Sequence, residues 1–248
     1  MEDKKTRINK FISESGFASR READRIVEAG RVRISGELAE IGSQVSEGDV
    51  VTIDGKEIRQ KTSNVYLAFN KPKGLETTTD ESVPGNIISY LNYPQRIFPI
   101  GRLDKMSQGL LLLTDDGDIV NRILRSVNNH EKEYIVTVNQ TITEEFVQGM
   151  SSGVPILDTV TKKCVVEKLS TRQFRIILTQ GLNRQIRRMT EYFGYKVVSL
   201  KRIRIMNIEL GSMAEGALRP LSPLEMKDLK ELLADSSKHE ESPSDEME

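Results

Sequence analysis

The sequence predicts an α+β protein in two unequal parts: a small unit of two helices and short strands, then a larger mixed domain around a mostly antiparallel sheet. Three observations carry this prediction. The first 60 residues hold two short helical patterns followed by brief apolar runs broken at Gly turns. A polar stretch, 61–65, suits a linker. Beyond it, strand patterns mix with a few helices. At 248 residues the chain is long enough to bury a sizeable core in one large domain or two unequal ones.

Taken in order, Ile8, Phe11 and Ile12 have helical spacing, and Gly16 is a suitable stop. Ser19, with Glu22 three residues on, reads as a capping box opening a second helix. Ala23, Ile26 and Val27 form its apolar face, and Gly30 ends it. Short strand-like runs then carry Val32, Ile34, Val45, Val50, Val51 and Ile53, separated by Ser35-Gly36, Glu47-Gly48 and Asp54-Gly55. Residues 5–60 are thus expected to form the first domain, 61–65 the linker and 66–234 the second domain. Within the second, strands are expected at Tyr66–Phe69, Leu110–Thr114, Glu133–Val138, Phe174–Thr179 and Arg202–Ile208. Helices are expected at Asp118–Arg125, Thr143–Met150, Asn183–Phe193 and Pro223–Leu233. Residues 235–248 hold almost nothing apolar and are expected to be an acidic, disordered tail.

Hydrophobic residues make up 37% and charged residues 29%, as in an ordinary globular protein. No apolar run approaches a membrane span, and Met1–Lys5 leads into no apolar segment, so neither a membrane partner nor a secretory signal is expected. The single cysteine, Cys164, excludes an internal disulfide and fits a reducing compartment, hence a cytoplasmic protein. The net charge of −1 hides an uneven distribution. Residues 4–33 have nine Lys/Arg against four Asp/Glu, and residues 181–204 have seven against one. Two basic blocks far apart in sequence suit a long polyanion such as nucleic acid, although either block alone would read as a solvated face.

Two histidines, one of them in the tail, and one cysteine cannot assemble a His/Cys zinc site. Asp115-Asp116-Gly117-Asp118 lacks the alternating ligands and distant Glu of a calcium loop and reads better as a turn with Asp118 capping the next helix. No G-x-S-x-G and no phosphate-cradling G-x-x-x-x-G-K-[ST] occurs, which leaves out triad hydrolases and P-loop enzymes.

Chemistry concentrates in Gly101–Thr114. There Asp104 lies in a polar loop between Arg102 and Lys105, just before the apolar run Leu110–Leu113. A carboxylate at the edge of a core is partly desolvated, which raises its basicity unless a cation offsets it. By composition alone, a loop Asp making a local turn bond is the commoner outcome. In the helix after Gly181, Arg184 and Arg188 would lie together at i,i+4, a mild repulsion that an outside anion would offset. Arg187 could pair with Glu191 or point at an active-site carboxylate, and spacing does not decide between them. Arg202 and Arg204 alternate with Ile203 and Ile205, as on a strand with one buried and one basic face. Tyr134 shares a strand face with Val136 and Val138; it is either a core tyrosine or a stacking surface for a base.

Two regions resemble known families. Arg7–Ile12, Gly16, Ser19–Ala23 and Gly30–Val32 resemble the S4 RNA-binding domain. Asn70-Lys71-Pro72-Lys73-Gly74, Gly101–Asp104, Lys132-Glu133-Tyr134 and Gln180–Met189 are similar, in order and spacing, to the catalytic domain of the RsuA/RluB/E/F-type pseudouridine synthases. The resemblance implies that Asp104 is the catalytic aspartate, that Tyr134 packs on the target base, and that Arg187 pairs with the aspartate. It further implies that Arg102 helps to hold a flipped-out nucleotide. RNA contacts are expected from Arg7, Lys10, Arg20, Arg21, Arg31 and Arg33 in the first domain. Arg184, Arg188, Arg202 and Arg204 are expected to supply them in the second. Asn129–Tyr134 and Gly153–Leu157 are most similar to the branch acting on large-subunit ribosomal RNA, which implies a uridine in 23S rRNA, with tRNA as a second substrate. No cofactor and no metal is implied, since both bonds are remade within one substrate, and nothing demands more than a monomer. The competing reading is a non-catalytic S4-type RNA-binding factor of ribosome assembly.

Overall fold

A computed structural model describes residues 5–125 and 129–234. The expected acidic tail lies outside the described residues. One compact unit comprises 5–65 with Tyr93–Ile97 and Asp115–Gly117. Its elements are β1 (Thr6–Arg7), α1 (Ile8–Glu14), α2 (Arg20–Glu28), β2 (Val32–Ile34), β3 (Glu37–Leu38), β4 (Gln44–Val45), β5 (Val51–Ile53) and β6 (Lys56–Ile58). The Ser19 hydroxyl accepts the Glu22 N–H at 3.2 Å, satisfying one of the orphan donors that open α2. Ile8, Ile12, Ala23, Ile26 and Val27 from the helices pack on Val32, Val51 and Ile53 from a four-stranded sheet of order β3-β2-β5-β6.

The stretch expected to be a linker is held in place. Lys61 Nζ lies 2.7 Å from Asp115 Oδ2, and the Val65 N–H donates to Asp115 Oδ1 at 2.8 Å. Asp115 is buried, so its charge requires these partners. The acidic run that begins with it therefore serves as an anchor. Helix α4 starts at Gly117, which places Asp118 in the first turn and not at the cap.

The second unit comprises Tyr66–Asn92, Phe98–Thr114 and residues from Asp118 onward. Its elements are β7 (Tyr66–Lys71), α3 (Ile87–Leu91), β8 (Phe98–Ile100), β9 (Gln108–Thr114), α4 (Gly117–Leu124), β10 (Lys132–Val138), α5 (Glu144–Ser152), β11 (Pro155–Ile156), β12 (Thr159–Val160) and β13 (Val165–Ser170). Then come β14 (Gln173–Leu178), α6 (Gln185–Tyr192), β15 (Val197–Ile205), β16 (Ile208–Glu209), β17 (Leu218–Pro220) and α7 (Pro223–Leu232). Nine of the strands form one sheet of order β13-β14-β10-β15-β9-β7-β17, with β8 beside β9 and β16 beside β15. Every pairing is antiparallel except β9 with β15. The α+β class with a mostly antiparallel sheet is what the sequence predicted. Among the described residues, no helix is long and apolar enough to cross a membrane.

Strand β9 organises this unit. Leu110 to Leu113 are at most 1% exposed, and Leu110 and Leu112 pack with Ala68, Ile119, Ile123 and Leu229. Each such side chain contributes about 1.5–3 kcal/mol by leaving water. One edge of β9 pairs with β7 along its length. On its other edge, β8 takes the end at Leu112–Thr114 and β15 takes the start at Gln108–Gly109. Gly109 is required at that junction. Its φ is +103°, and a Cβ there would sit 2.2 Å from the Arg202 carbonyl oxygen.

Two differences from the sequence-based boundaries have local causes. The strand expected at Arg202–Ile208 starts earlier, at Val197, and breaks at Met206, whose φ of 53° turns the chain into β16. Helix α6 starts at Gln185 because Arg184 adopts a left-handed conformation at its N-cap. Strands β8, β11, β12, β13 and β17 and the short helix α3 were not anticipated.

Candidate active site

The loop Gly101–Ser107 connects β8 to β9, and the segment after β7 clamps it. Lys71, the last residue of β7, is fully buried. Its ammonium donates to the carbonyl oxygens of Ser107 (2.9 Å), Pro72 (3.0 Å) and Asp104 (3.3 Å). Burial pushes Lys71 down to about 8, and the nearby Glu76 and Asp104 carboxylates work against that. From the other side, the Thr77 hydroxyl donates to the Leu103 carbonyl at 2.7 Å, and the Gly74 N–H donates to the Lys105 carbonyl at 2.8 Å. The Asp104 backbone is thereby fixed on both sides, as a positioned catalytic group requires.

The Asp104 side chain keeps 39% of its exposure, and its Oδ2 lies 3.3 Å from Arg187 Nε. The carboxylate is thus not in the dry pocket that its sequence position suggested. It stands at the wall of an open cavity. Of the two partners that spacing left open for Arg187, the structure selects Asp104. Arg187 projects from α6, and its Nη2 also donates to the buried Ser107 hydroxyl at 3.2 Å. Gln185, buried at the start of α6, accepts the Leu182 N–H at 3.0 Å and so ties the preceding loop to the helix.

Asp104, Arg187, Arg102 and Tyr134 line one cavity of about 720 Å³. Leu178, Ile186 and Leu200 supply apolar surface to it, and Lys132 and Arg202 line it too. Tyr134 is 9% exposed, with the Arg202 guanidinium carbon 5.9 Å from its ring centroid. A cavity of this size, part apolar and rich in cations, suits one nucleotide unit with its phosphate.

The basic residues named from sequence fare differently. Arg202 is not a surface cation. It is 3% exposed, its Nε donates to the Leu110 carbonyl at 2.7 Å, and its Nη2 has no partner. Arg204 is not available to RNA either, since it bonds Glu133 at 2.8 Å, Glu131 at 2.9 Å and the Met206 carbonyl. Arg184 is exposed but does not stack with Arg188 on the helix, and Arg188 turns back to Asn183. In the first unit Arg7, Arg20, Arg21, Arg31 and Arg33 are exposed, with Arg31 forked onto Asp54. Lys10 is half-buried, 3.4 Å from Glu14. Sequence reasoning missed Lys71, Ser107, Thr77, Gln185 and Lys132. Lys71, Lys132 and Gln185 stand within the segments that carry the family resemblance but were given no role of their own.

Known proteins resemble this chain over both units. Residues 65–192 match the RNA pseudouridylate synthase family and residues 6–51 match the S4 domain. The dual-specificity RNA pseudouridine synthase RluF of Salmonella typhi is 56% identical over 237 residues, covering 95% of this chain and 82% of its own. Ribosomal large subunit pseudouridine synthase B of Bacillus subtilis is 31% identical, covering 94% of this chain and 98% of its own. A crystal structure of a pseudouridylate synthase is 30% identical, with a TM-score of 0.67 over 90% of this chain and 99% of its own.

Proposed function

This chain belongs to the RNA pseudouridylate synthase family and is an RNA pseudouridine synthase, and on that premise we propose that Asp104 isomerises a uridine in 23S large-subunit rRNA, with tRNA as a second substrate. The observation that carries the catalytic part is the Asp104–Arg187 contact at the wall of the cavity that Tyr134 also lines. The RNA part is supported by the relatives, one described as dual-specificity and one as acting on the large ribosomal subunit.

A base inside a helix is out of reach, so the target nucleotide leaves its stack and enters the cavity. Tyr134 offers a ring face to the base, and Arg102, at the rim, holds the flipped nucleotide. Asp104 acts at the sugar, either by attack at C1′ or by removing the C2′ proton. Both roles use the ionised carboxylate, for which Arg187 is the charged partner. The N1–C1′ bond breaks, the uracil turns, and a C5–C1′ bond forms as C5 loses its proton and N1 gains one. The atoms balance within one substrate.

Arg7, Lys10, Arg20, Arg21, Arg31 and Arg33 grip the RNA from the S4 unit, with Arg184 and Arg188 beside the cavity. The protein works as a cytoplasmic monomer, where ribosomal RNA is found, and a single monomeric peak in size-exclusion chromatography is the expected result. Pseudouridine mapping on unmodified 23S rRNA and tRNA transcripts tests the reading. Wild type should introduce pseudouridine at one or a few uridines and Asp104→Asn at none. Modification of neither RNA by wild type would overturn the substrate assignment.

A further inference from the structure

We propose that Lys132, backed by Arg202, carries the negative charge that the uracil takes up when its glycosidic bond breaks. This rests on the pseudouridine synthase reading and adds a catalytic residue to it.

Lys132 and Tyr134 are two residues apart on β10, and the register of β10 with β14 is unbroken from Lys132 to Thr137. They therefore share a face, and both line the cavity. A base lying on the Tyr134 ring would have Lys132 at its edge. Across the β10–β15 pairing, Tyr134 is opposite Arg202 and Lys132 is opposite Ile205. Arg202 is fixed by its bond to the Leu110 carbonyl, and its Nη2 is buried with no acceptor. Lys132 is 8% exposed, and its ammonium has one long contact, 3.4 Å to the His130 carbonyl. Among the described residues no carboxylate pairs with it.

Burying two cations side by side without a counter-charge is costly. Burial first, and then Arg202, push Lys132 down to about 8. The cost is offset only when an anion arrives. Among the described residues the only carboxylate lining the cavity, Asp104, is already paired with Arg187. The reaction supplies the missing charge. When N1–C1′ breaks, the bond's electron pair leaves with the base, and the uracil becomes an anion delocalised over N1 and its two carbonyl oxygens. That charge persists until the C5–C1′ bond forms. Fixed cations aimed at charge that develops during reaction lower the barrier without further reorganisation.

The test is a substituent effect. Fluorine at C5 makes the departing N1 more acidic, so a 5-fluorouracil anion needs less help to leave. Single-turnover conversion to the C-glycoside is measured with uridine and with 5-fluorouridine RNA for wild type, Lys132→Met and Lys132→Gln. The uridine rate should fall about 10²-fold in both variants, in line with loss of one preorganised donor, and the 5-fluorouridine rate about 10-fold. The ratio of the two rates comes from the same protein sample, so partial misfolding does not alter it. An unchanged ratio, with or without weaker RNA binding, would assign Lys132 to phosphate contact or to structure and overturn the proposal. Inactivity on both substrates would overturn it as well. Asp104→Asn, by contrast, should abolish conversion of both RNAs, so failure of the aspartate assignment and failure of the lysine assignment read differently.

Discussion

The two faces of β10 handle charge in opposite ways. On one face, Glu133 lies between Arg204 at 2.8 Å and Arg175 at 3.3 Å, and Arg204 also holds Glu131. That network is closed. On the other face, Lys132 and Arg202 line the cavity with no carboxylate between them. Neighbouring residues of one strand thus serve different ends: the paired face holds the sheet together, and the unpaired face keeps a positive potential ready for a ligand.

Mutations that break this contrast should separate activity from stability. Of the two arginines, Arg202 on the cavity side and Arg204 on the paired side, Arg202→Met should have the larger effect on activity. Removing a buried, half-satisfied cation leaves the Leu110 carbonyl without its donor but relieves the repulsion on Lys132. The melting temperature should therefore move by only a few degrees while single-turnover activity falls about 10²-fold. Full activity in this variant would show that the cavity cations are only structural. Arg204→Met should do the reverse. It leaves Glu133, whose side chain is 11% exposed, with Arg175 as its remaining partner, and should cost about 1–3 kcal/mol in denaturant unfolding while activity per folded molecule changes less than about threefold.

The pH dependence of stability sharpens the comparison further, with smaller effects. Burial alone would raise Glu133, but hydrogen bonds from Arg204 and Arg175 more than offset it and leave the carboxyl below its ordinary value of 4.5. Its contribution is present above that value and is lost as pH falls below it, because the unfolded chain then binds the proton more readily. Glu133→Gln should flatten the acid limb of a stability–pH curve relative to wild type. Lys132 has the opposite sign. Its folded value of about 8 lies below the ordinary 10.5. In that window the unfolded chain holds more protons, so stability rises as pH goes from 8 to 10.5. Lys132→Met should remove that rise. Parallel curves for wild type and both variants would refute the assignment of opposite charge roles to the two faces.

Much of the architecture was legible because it rests on local chemistry. Ser19 caps α2 as its spacing with Glu22 predicted, and the helices expected at Asp118–Arg125 and Thr143–Met150 are α4 and α5 displaced by one or two residues. The run Leu110–Leu113 is the buried centre of the sheet. What stayed hidden depends on tertiary partners. Strand β13 is exposed at nearly every position, so it shows no alternation to read. Alternation placed Arg202 outside because Arg202 and Arg204 alternate with Ile203 and Ile205, but β15 shifts register against β10 and the Leu110 carbonyl accepts the guanidinium inside. The spacing of Lys71 gave no sign that its ammonium would donate to the Asp104, Lys105 and Ser107 carbonyl oxygens and so pin the Asp104 loop. For Arg187, the helix periodicity allowed either a surface bridge or a catalytic pair, and only the packing of α6 beside Ser107 decided between them.

In the proposed mechanism Asp104, facing Arg187 across 3.3 Å, breaks the glycosidic bond. Tritium release from RNA labelled at uridine C5, followed in Asp104→Asn alongside RNA affinity, addresses it most directly. Release should fall by at least about 10³-fold with affinity within about threefold of wild type. Release at the wild-type rate would contradict it.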